Sequence, residues 1–423
     1  MRTDLVQALA ERGLLFQQTE GLAEHLAGDA RVGYCGFDPT APSLHIGNLV
    51  PVMGLVHLAR AGHRAVALVG GGTALIGDPS GKSSERPLIT AAEVDANGAR
   101  IGAQLEKVFA AAGVGVTMAD NAVWLRSTGA IDFMRDVGKH FSINWMMQKD
   151  SVKSRLEAGI SYTEFSYMLL QAFDFLELKR RHGVTLQLGG SDQWGNITAG
   201  TELVRRAGAG EAFGLTLPLV TTSSGKKFGK TESGAVWLDP ERTTPYAFYQ
   251  FWVNTEDADV IAYLRMFTLL DVPAIDALAA EVLAAPQARA AQQALAREVT
   301  TLIHGADAAR VAAEVSRVVF DRRAEPAALD DSAWRALAAE IPAVDATFTS
   351  EGALDVVDAL AAAFALSKGA ARKLIQQGGV ALNGAKLDAE ATSAPIGTAV
   401  RGRWWLLRKG ARDVAVVRGG GNP

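Results

Sequence analysis

Cysteine is almost missing from this chain: Cys35 is the one thiol among 423 residues. That count excludes a disulfide framework and a thiol-rich zinc site. A surplus of basic charge is also missing. Lys and Arg number 42 against 46 Asp and Glu, a formal charge of -4, so the chain is no general nucleic-acid coat, and any such contact must be a local basic patch. No apolar run approaches a membrane span, and the punctuated N-terminus lacks a secretory apolar segment. Of the chain 48% is hydrophobic, which makes it globular and not disordered. The expectation is a cytoplasmic, reducing environment and, at this length, two or three domains.

What is present centres on Tyr34-Cys-Gly-Phe-Asp-Pro-Thr-Ala-Pro-Ser-Leu-His-Ile-Gly-Asn48. The stretch reads as a strand end, a turn rich in Pro, Asp and Ser, then a helix whose apolar residues Ile46, Leu49, Val50, Met53 and Val56 recur at helical spacing. A strand-to-helix junction offers free N–H groups and a positive dipole end to phosphate. Thr40 and His45 add side-chain donors, and Gly47 lets a flat ring approach the backbone. Pro51 would cost about 3 kcal/mol in a helix interior, so it is expected within the first two turns.

Ala65–Val69 reads as a buried parallel strand, and with the preceding strand and helix it forms a right-handed βαβ unit of a doubly wound nucleotide-binding fold. The following Gly77-Asp-Pro-Ser-Gly-Lys-Ser83 imitates a P-loop, but the spacing is one residue short and Asp78 would repel phosphate. Residues 91–112 read as an amphipathic helix and Trp124-Leu125 as a short strand. From 162 onward, Tyr167, Gln171 and Asp174 fall within about 60° of one another on an otherwise apolar helix. That stripe is either solvated or lines a polar pocket. After strand 184–188, the loop Gly189-Gly-Ser-Asp-Gln-Trp-Gly-Asn196 suits ribose hydroxyls or is an ordinary tight turn. Thr221 to Thr231 contains Lys226, Lys227 and Lys230 among small residues, an anion clamp or a solvated turn. Ser367 caps a helix presenting Lys368, Arg372 and Lys373, and the tail beyond has a basic bias, the footprint of phosphate-backbone contact or a solvated surface.

Two motifs in this order carry a resemblance. Pro-Thr-x-x-x-Leu-His-Ile-Gly-Asn48 resembles the His-Ile-Gly-His motif of class I aminoacyl-tRNA synthetases, and Lys227-Phe-Gly-Lys-Thr231 their Lys-Met-Ser-Lys-Ser motif. With the 167/171/174 stripe and the Asp192 loop, nearly the whole chain resembles the bacterial tyrosyl-tRNA synthetase family. The resemblance implies an α/β fold: a Rossmann-like doubly wound parallel sheet in a catalytic domain (1–220), a lysine loop and helical anticodon-side domain (221–323) and a small α+β alpha-L RNA-binding domain (351–423). Between the last two, the mix of Ala, Pro, Asp and Thr at 324–350 reads as a linker.

The same resemblance implies roles. Tyr34 and Asp174 would hold the phenol of L-tyrosine, with Asp78, Tyr167 and Gln171 at its ammonium and Gln187 and Gln193 near its carboxylate. Cys35, Gly36, Asp38, Gly47, Asn48 and Asp192 would line the ATP site. Thr40 and His45 would bind the departing phosphates, with Lys82, Arg86, Lys227, Lys230 and Thr231 closing over them, and Lys368, Arg372 and Lys373 would contact tRNA(Tyr). Mg2+ would accompany ATP without a dedicated protein metal cage. A homodimer through residues near 130–165 and no membrane association are further expectations. Asn48 departs from the family's second histidine, though its amide can still donate to a ribose. The rivals are a tryptophanyl-type enzyme, an inactive RNA-binding scaffold and a P-loop NTPase.

Overall fold

The computed structural model describes residues 3–80, 89–153, 159–223, 225, 228–231 and 234–419. Two compact units emerge, one of Met1–Thr243 with Trp252–Ile303, the other of Thr244–Phe251 with His304–Pro423. The boundaries differ from the expected ones: the chain from 221 to 323 is shared between the two units and forms no separate helical domain.

The first unit is built on six strands, β1 (Gln17–Gln18), β2 (Val32–Phe37), β3 (Arg64–Val69), β4 (Thr117–Asp120), β5 (Leu186–Gly190) and β6 (Phe213–Leu217). Their order is β1-β6-β5-β2-β3-β4, all parallel except the edge strand β1. The chain winds outward from β2 through β3 to β4, then returns to β5 on the other side of β2 and continues to β6. The order therefore reverses between β2 and β5, and the crevice at their carboxyl ends is where such folds bind ligands. Strand β3 is buried along Ala65–Val69, the continuous run expected of a parallel strand covered on both faces.

The helix after the opening stretch is Leu49–Arg60. Pro51 occupies its third position, where no intrahelical N–H bond is lost. Close packing shows at Gly54, where a Cβ would come within 2.8 Å of Leu217 Cδ1. The Ala91–Ala111 helix begins with a reciprocal cap between Thr90 and Glu93. The Tyr162–His182 helix starts at Ser161, whose hydroxyl accepts the Glu164 N–H, and stops at Gly183 with φ 68°.

Three expectations need correction. Trp124-Leu125 is the end of a short helix, Ala122–Leu125, and the strand lies earlier, at β4. Residues 1–30, whose apolar residues Leu5, Ala8, Leu9, Leu14 and Leu15 read as largely helical, contain the edge strand β1 between two short helices. Residues 324–350 are no linker. They contain the helix Asp331–Glu340 and the strand Ala343–Asp345, which pairs in parallel with Asp413–Arg418. Trp334 is fully buried there and stacks on Trp404 at 5.7 Å.

In the second unit that strand is one edge of a five-stranded sheet containing Val380–Leu382, Ala385–Lys386, Trp404–Lys409 and Asp413–Arg418. The helices Val356–Ala363 and Lys368–Gln376 share a core with the sheet through Val357, Leu360, Ala371, Ile375 and Trp405. Ser367 accepts the Ala370 N–H, as its capping role requires.

Candidate active site

The crevice is lined from both strands of the reversal. Tyr34 on β2 stands in register with Gln187 on β5. Both are buried, and neither the Tyr34 hydroxyl nor Gln187 Oε1 finds a hydrogen-bond partner among the described residues. Buried polar atoms are rarely left unpaired, so each leaves a hydrogen bond for a ligand or a water to make. The Tyr34 ring is fixed edge-on against Phe175, 5.2 Å away. Burial pushes its phenol well above the ordinary value, and the Asp174 charge adds to the shift, which puts that carboxylate nearby.

Asp174 lies on the Tyr162–His182 helix and is 2% exposed, so the polar stripe faces inward, not to solvent. Trp124 Nε1 donates to its Oδ1 at 2.7 Å and Asn121 Nδ2 to its Oδ2 at 2.9 Å. Burial still pushes the carboxyl up to about 8, against the pull of those two donors. Asn121 and Trp124 were missed in the sequence. The signal was there, an Asn and a Trp three residues apart, but it is visible only once 122–125 is read as helix.

A second cluster surrounds the Tyr167 hydroxyl, which donates to Asp38 Oδ2 at 2.9 Å. Thr73 Oγ1 donates to Asp38 Oδ1 at 2.7 Å, and Asn121 Nδ2 to Thr73 Oγ1 at 2.9 Å. Asp38, expected at the nucleotide, is thus bonded to Tyr167, a residue expected at the amino acid. Gly70 permits this, because a Cβ there would fall 1.9 Å from Asp38 Oδ1. Burial pushes the Tyr167 phenol far up, with the charges of Asp38, Asp78 and Asp174 adding to it. Two carboxylates, Asp38 and Asp78, acting on one neutral hydroxyl make an electronegative pocket suited to a cation.

Next to it, Gln193 Nε2 donates to Asp78 Oδ2 at 2.7 Å, and Gln171 Nε2 to Gln193 Oε1 at 3.2 Å. Asn196 Nδ2 lies 3.1 Å from Gln171 Oε1 and 3.3 Å from Ser80 Oγ. Asn196 and Ser80 are further residues to which sequence reasoning gave no role. Asp78 also accepts the Ser80 N–H at 2.9 Å, which closes a local turn; the Gly81-Lys-Ser83 end of the P-loop-like stretch lies outside the described residues.

At the end of β2 the surface opens. A Cβ on exposed Gly36 would meet nothing within 4 Å. Cys35 beside it is buried, which raises its thiol to about 12, and the Asp192 charge contributes. A neutral thiol can support a neighbour by packing but is no nucleophile. His45 Nδ1 accepts the Gly47 N–H at 3.1 Å, and Asn48 Oδ1 accepts the His45 N–H at 3.0 Å. Asn48 thus uses its oxygen to cap the turn. Asp192, exposed, borders a cleft of about 780 Å³ whose walls include Trp145, Lys149, Trp194 and Leu219. Lys149 Nζ lies 3.8 Å over the Trp145 ring.

Residues 230–231 form a two-residue strand paired with 234–235. Lys82, Arg86 and Lys227 lie outside the described residues. In the other unit Lys368, Arg372 and Lys373 are exposed on one short helix, and Lys368 is paired with Asp358.

Comparison with known proteins agrees with this geometry. The family described as "tRNA synthetases class I (W and Y)" matches residues 28–321, and "Tyrosine--tRNA ligase SYY-like C-terminal domain" matches 335–417. The chain is 49% identical over 417 residues to a tyrosine–tRNA ligase of Anaeromyxobacter dehalogenans, covering 98% of this chain and 99% of that protein. It is 48% identical over 424 residues to one from Geobacillus stearothermophilus, with the same coverage. Among solved structures, the C-terminally truncated mitochondrial tyrosyl-tRNA synthetase of Aspergillus nidulans is 34% identical with a TM-score of 0.70, over 75% of this chain and 95% of that one. The tryptophanyl-tRNA synthetase of Plasmodium falciparum, at 13% identity and a TM-score of 0.52 over 72% of this chain and 84% of that one, shares the fold alone. By sequence and by fold, the chain belongs to the class I tRNA synthetase family.

Proposed function

We propose that this chain is a tyrosine–tRNA ligase, which joins L-tyrosine to tRNA(Tyr) through tyrosyl-adenylate. The observation that carries the reading is the buried, unpartnered Tyr34 hydroxyl beside an Asp174 carboxylate held by two donors. A phenol placed between them would supply the missing hydrogen bond, whereas an indole would not need the pair. A site built around such a hydroxyl rejects the analogue lacking it, since the polar groups would be left buried and unpaired.

Asp38, Asp78, Tyr167 and Gln171 would hold the substrate ammonium in the carboxylate-rich pocket. Gln187, in register with Tyr34, and Gln193 would orient the carboxylate. Gly36, Cys35, Gly47, Asn48 and Asp192 would receive adenosine and ribose at the open end of β2. The substrate carboxylate attacks the α-phosphorus in line, and the α–β phosphoanhydride bond breaks to release pyrophosphate. Thr40 and His45, aided by Lys82, Arg86, Lys227, Lys230 and Thr231, would stabilise the charge on that leaving group. In the second step a ribose hydroxyl of the terminal adenosine attacks the tyrosyl carbonyl and AMP leaves. Positioning and electrostatics carry both steps without a protein nucleophile.

Among the described residues no three His, Cys, Asp or Glu side chains converge to hold a metal ion. Magnesium would be ligated chiefly by the phosphates of ATP and polarise them. The cleft beside Asp192, with two tryptophans and a lysine, suits a single-stranded nucleic-acid end. Exposed Ile131, Met134 and Ile143 would be covered by a second copy in a homodimer, and sedimentation as a monomer at micromolar concentration would count against that.

ATP–pyrophosphate exchange with each amino acid tests the activity. Tyrosine-dependent exchange is expected. Dependence on tryptophan would support a tryptophanyl enzyme, and no exchange an inactive scaffold. Asp174→Ala is expected to collapse the preference for tyrosine over phenylalanine, and an unchanged ratio would remove Asp174 from the phenol site.

A further inference from the structure

Phe228, between the lysines of the second motif, is 7% exposed. Its ring lies parallel to Phe267, 5.2 Å between centroids and 9° between planes, and edge-on to Tyr263 at 5.1 Å. Trp252 closes a third side at 5.9 Å. Two of these rings belong to the Asp257–Phe267 helix, and that helix also grips the start of the segment. Its Asp259 carboxylate accepts the Ser223 N–H and hydroxyl at 3.1 Å, and the Tyr263 hydroxyl donates to the Thr221 carbonyl at 3.5 Å. The helix is itself pinned at its far end. The Arg12 guanidinium donates to the carbonyls of Arg265, Thr268 and Leu270 at 3.1, 3.0 and 2.6 Å.

One residue beyond Phe228 the chain rests on the His45 turn. A Cβ on Gly229 would lie 2.9 Å from Ile46 Cγ1 and 3.7 Å from Gly47 N. The Val236 N–H donates to the Gly229 carbonyl at 3.2 Å, the Ile46 N–H to Val236 at 3.0 Å, and the Leu238 N–H to Leu44 at 2.9 Å. Residues 228–229 and 236–238 are therefore stitched to the turn on one side. On the other they are held by the ring of Phe228.

We propose that Phe228 is a positioning residue for adenylate formation, its caged ring fixing how Phe228 and Gly229 lie over the turn that carries His45. Three aromatic neighbours leave the ring one orientation, and through Gly229 that orientation sets the separation between segment and turn. A displacement of about 1 Å in such a site costs about 10²-fold in rate. A ring that served only the core would instead weaken every property of the protein together. The role rests on the proposed activation of tyrosine.

Single-turnover formation of tyrosyl-adenylate by the full chain tests it, with tyrosine affinity measured in parallel. Phe228→Ala is expected to form adenylate about 10²-fold more slowly while tyrosine affinity changes by less than about twofold. Phe228→Leu, which partly refills the cage, is expected to recover about tenfold of that loss. An unchanged rate in Phe228→Ala, an equal loss of tyrosine affinity, or no recovery in Phe228→Leu would overturn the role. Should Phe228→Ala fail to fold, Phe228→Leu decides alone: a slowed rate with intact tyrosine affinity supports the role, and the wild-type rate overturns it. Wild-type protein that forms no adenylate would overturn the proposed activity and this role with it, whereas an active wild type beside an unaffected variant overturns the role alone.

Discussion

Asp174 is a carboxylate where burial makes its charge costly, and its titration follows from that. Its ordinary value of 3.8 is pushed up to about 8. Between those values the folded protein keeps a proton that the unfolded chain has released, so stability falls as pH rises through the window and levels off above it. His57 acts in the opposite sense: burial lowers its imidazole from 6.5 to about 3, so stability falls as pH drops from 6.5 toward 3. The two slopes oppose below pH 6.5, which leaves the interval from 6.5 to 8 to Asp174. Urea midpoints of the wild type are expected to fall across that interval, and those of Asp174→Asn to fall less. Equal slopes would show that another group titrates there. The comparison uses slopes because an Asn amide would face the Trp124 or Asn121 donor with its own N–H and shift the absolute stability.

At the scale of elements, the helix Asp331–Glu340 is the clearest departure from expectation. The Ala, Pro, Asp and Thr mix of 324–350 reads as a connecting segment, but Ala333, Trp334 and Leu337 are fully buried and share a core with Leu406 and Val416. Trp334→Ala is therefore expected to cost the second unit about 3–5 kcal/mol. Denaturation followed by tryptophan fluorescence checks this, and a change below about 0.5 kcal/mol would return the segment to the status of a surface linker. Tyrosine-dependent exchange should survive the substitution. Periodic segments were legible in the sequence: β3, the helix from Leu49 and the helix carrying Tyr167, Gln171 and Asp174 stand where spacing put them, because burial of one face imposes the pattern. The two-residue strand β1 and the four-residue helix Ala122–Leu125 were not legible, since elements so short are fixed by tertiary partners, not by their own pattern. The same limit hid Asn121 and Trp124 as partners of Asp174. Gln187 was assigned only by resemblance, and its register with Tyr34 is a property of the sheet.

Over the whole molecule, charge separates the two halves of the reaction. The first unit gathers carboxylates in the pocket proposed for the substrate ammonium, while the second exposes Lys368, Arg372 and Lys373 on one helix, in a chain whose net charge is -4. Lys368 is paired with Asp358, so Arg372 and Lys373 carry most of the charge free to meet a phosphate backbone. Each phosphate contact contributes roughly one unit to the dependence of log affinity on log salt. Replacing Arg372 and Lys373 with Ala is thus expected to weaken tRNA binding about tenfold at moderate salt and to lower the salt slope by about two. Exchange of ATP with pyrophosphate, which needs no tRNA, should be unchanged. Filter binding of tRNA at several salt concentrations, with exchange measured alongside, separates the outcomes: an unaltered slope would place the nucleic-acid contact elsewhere on the molecule, and a parallel loss of exchange would show that the substitutions had damaged the fold.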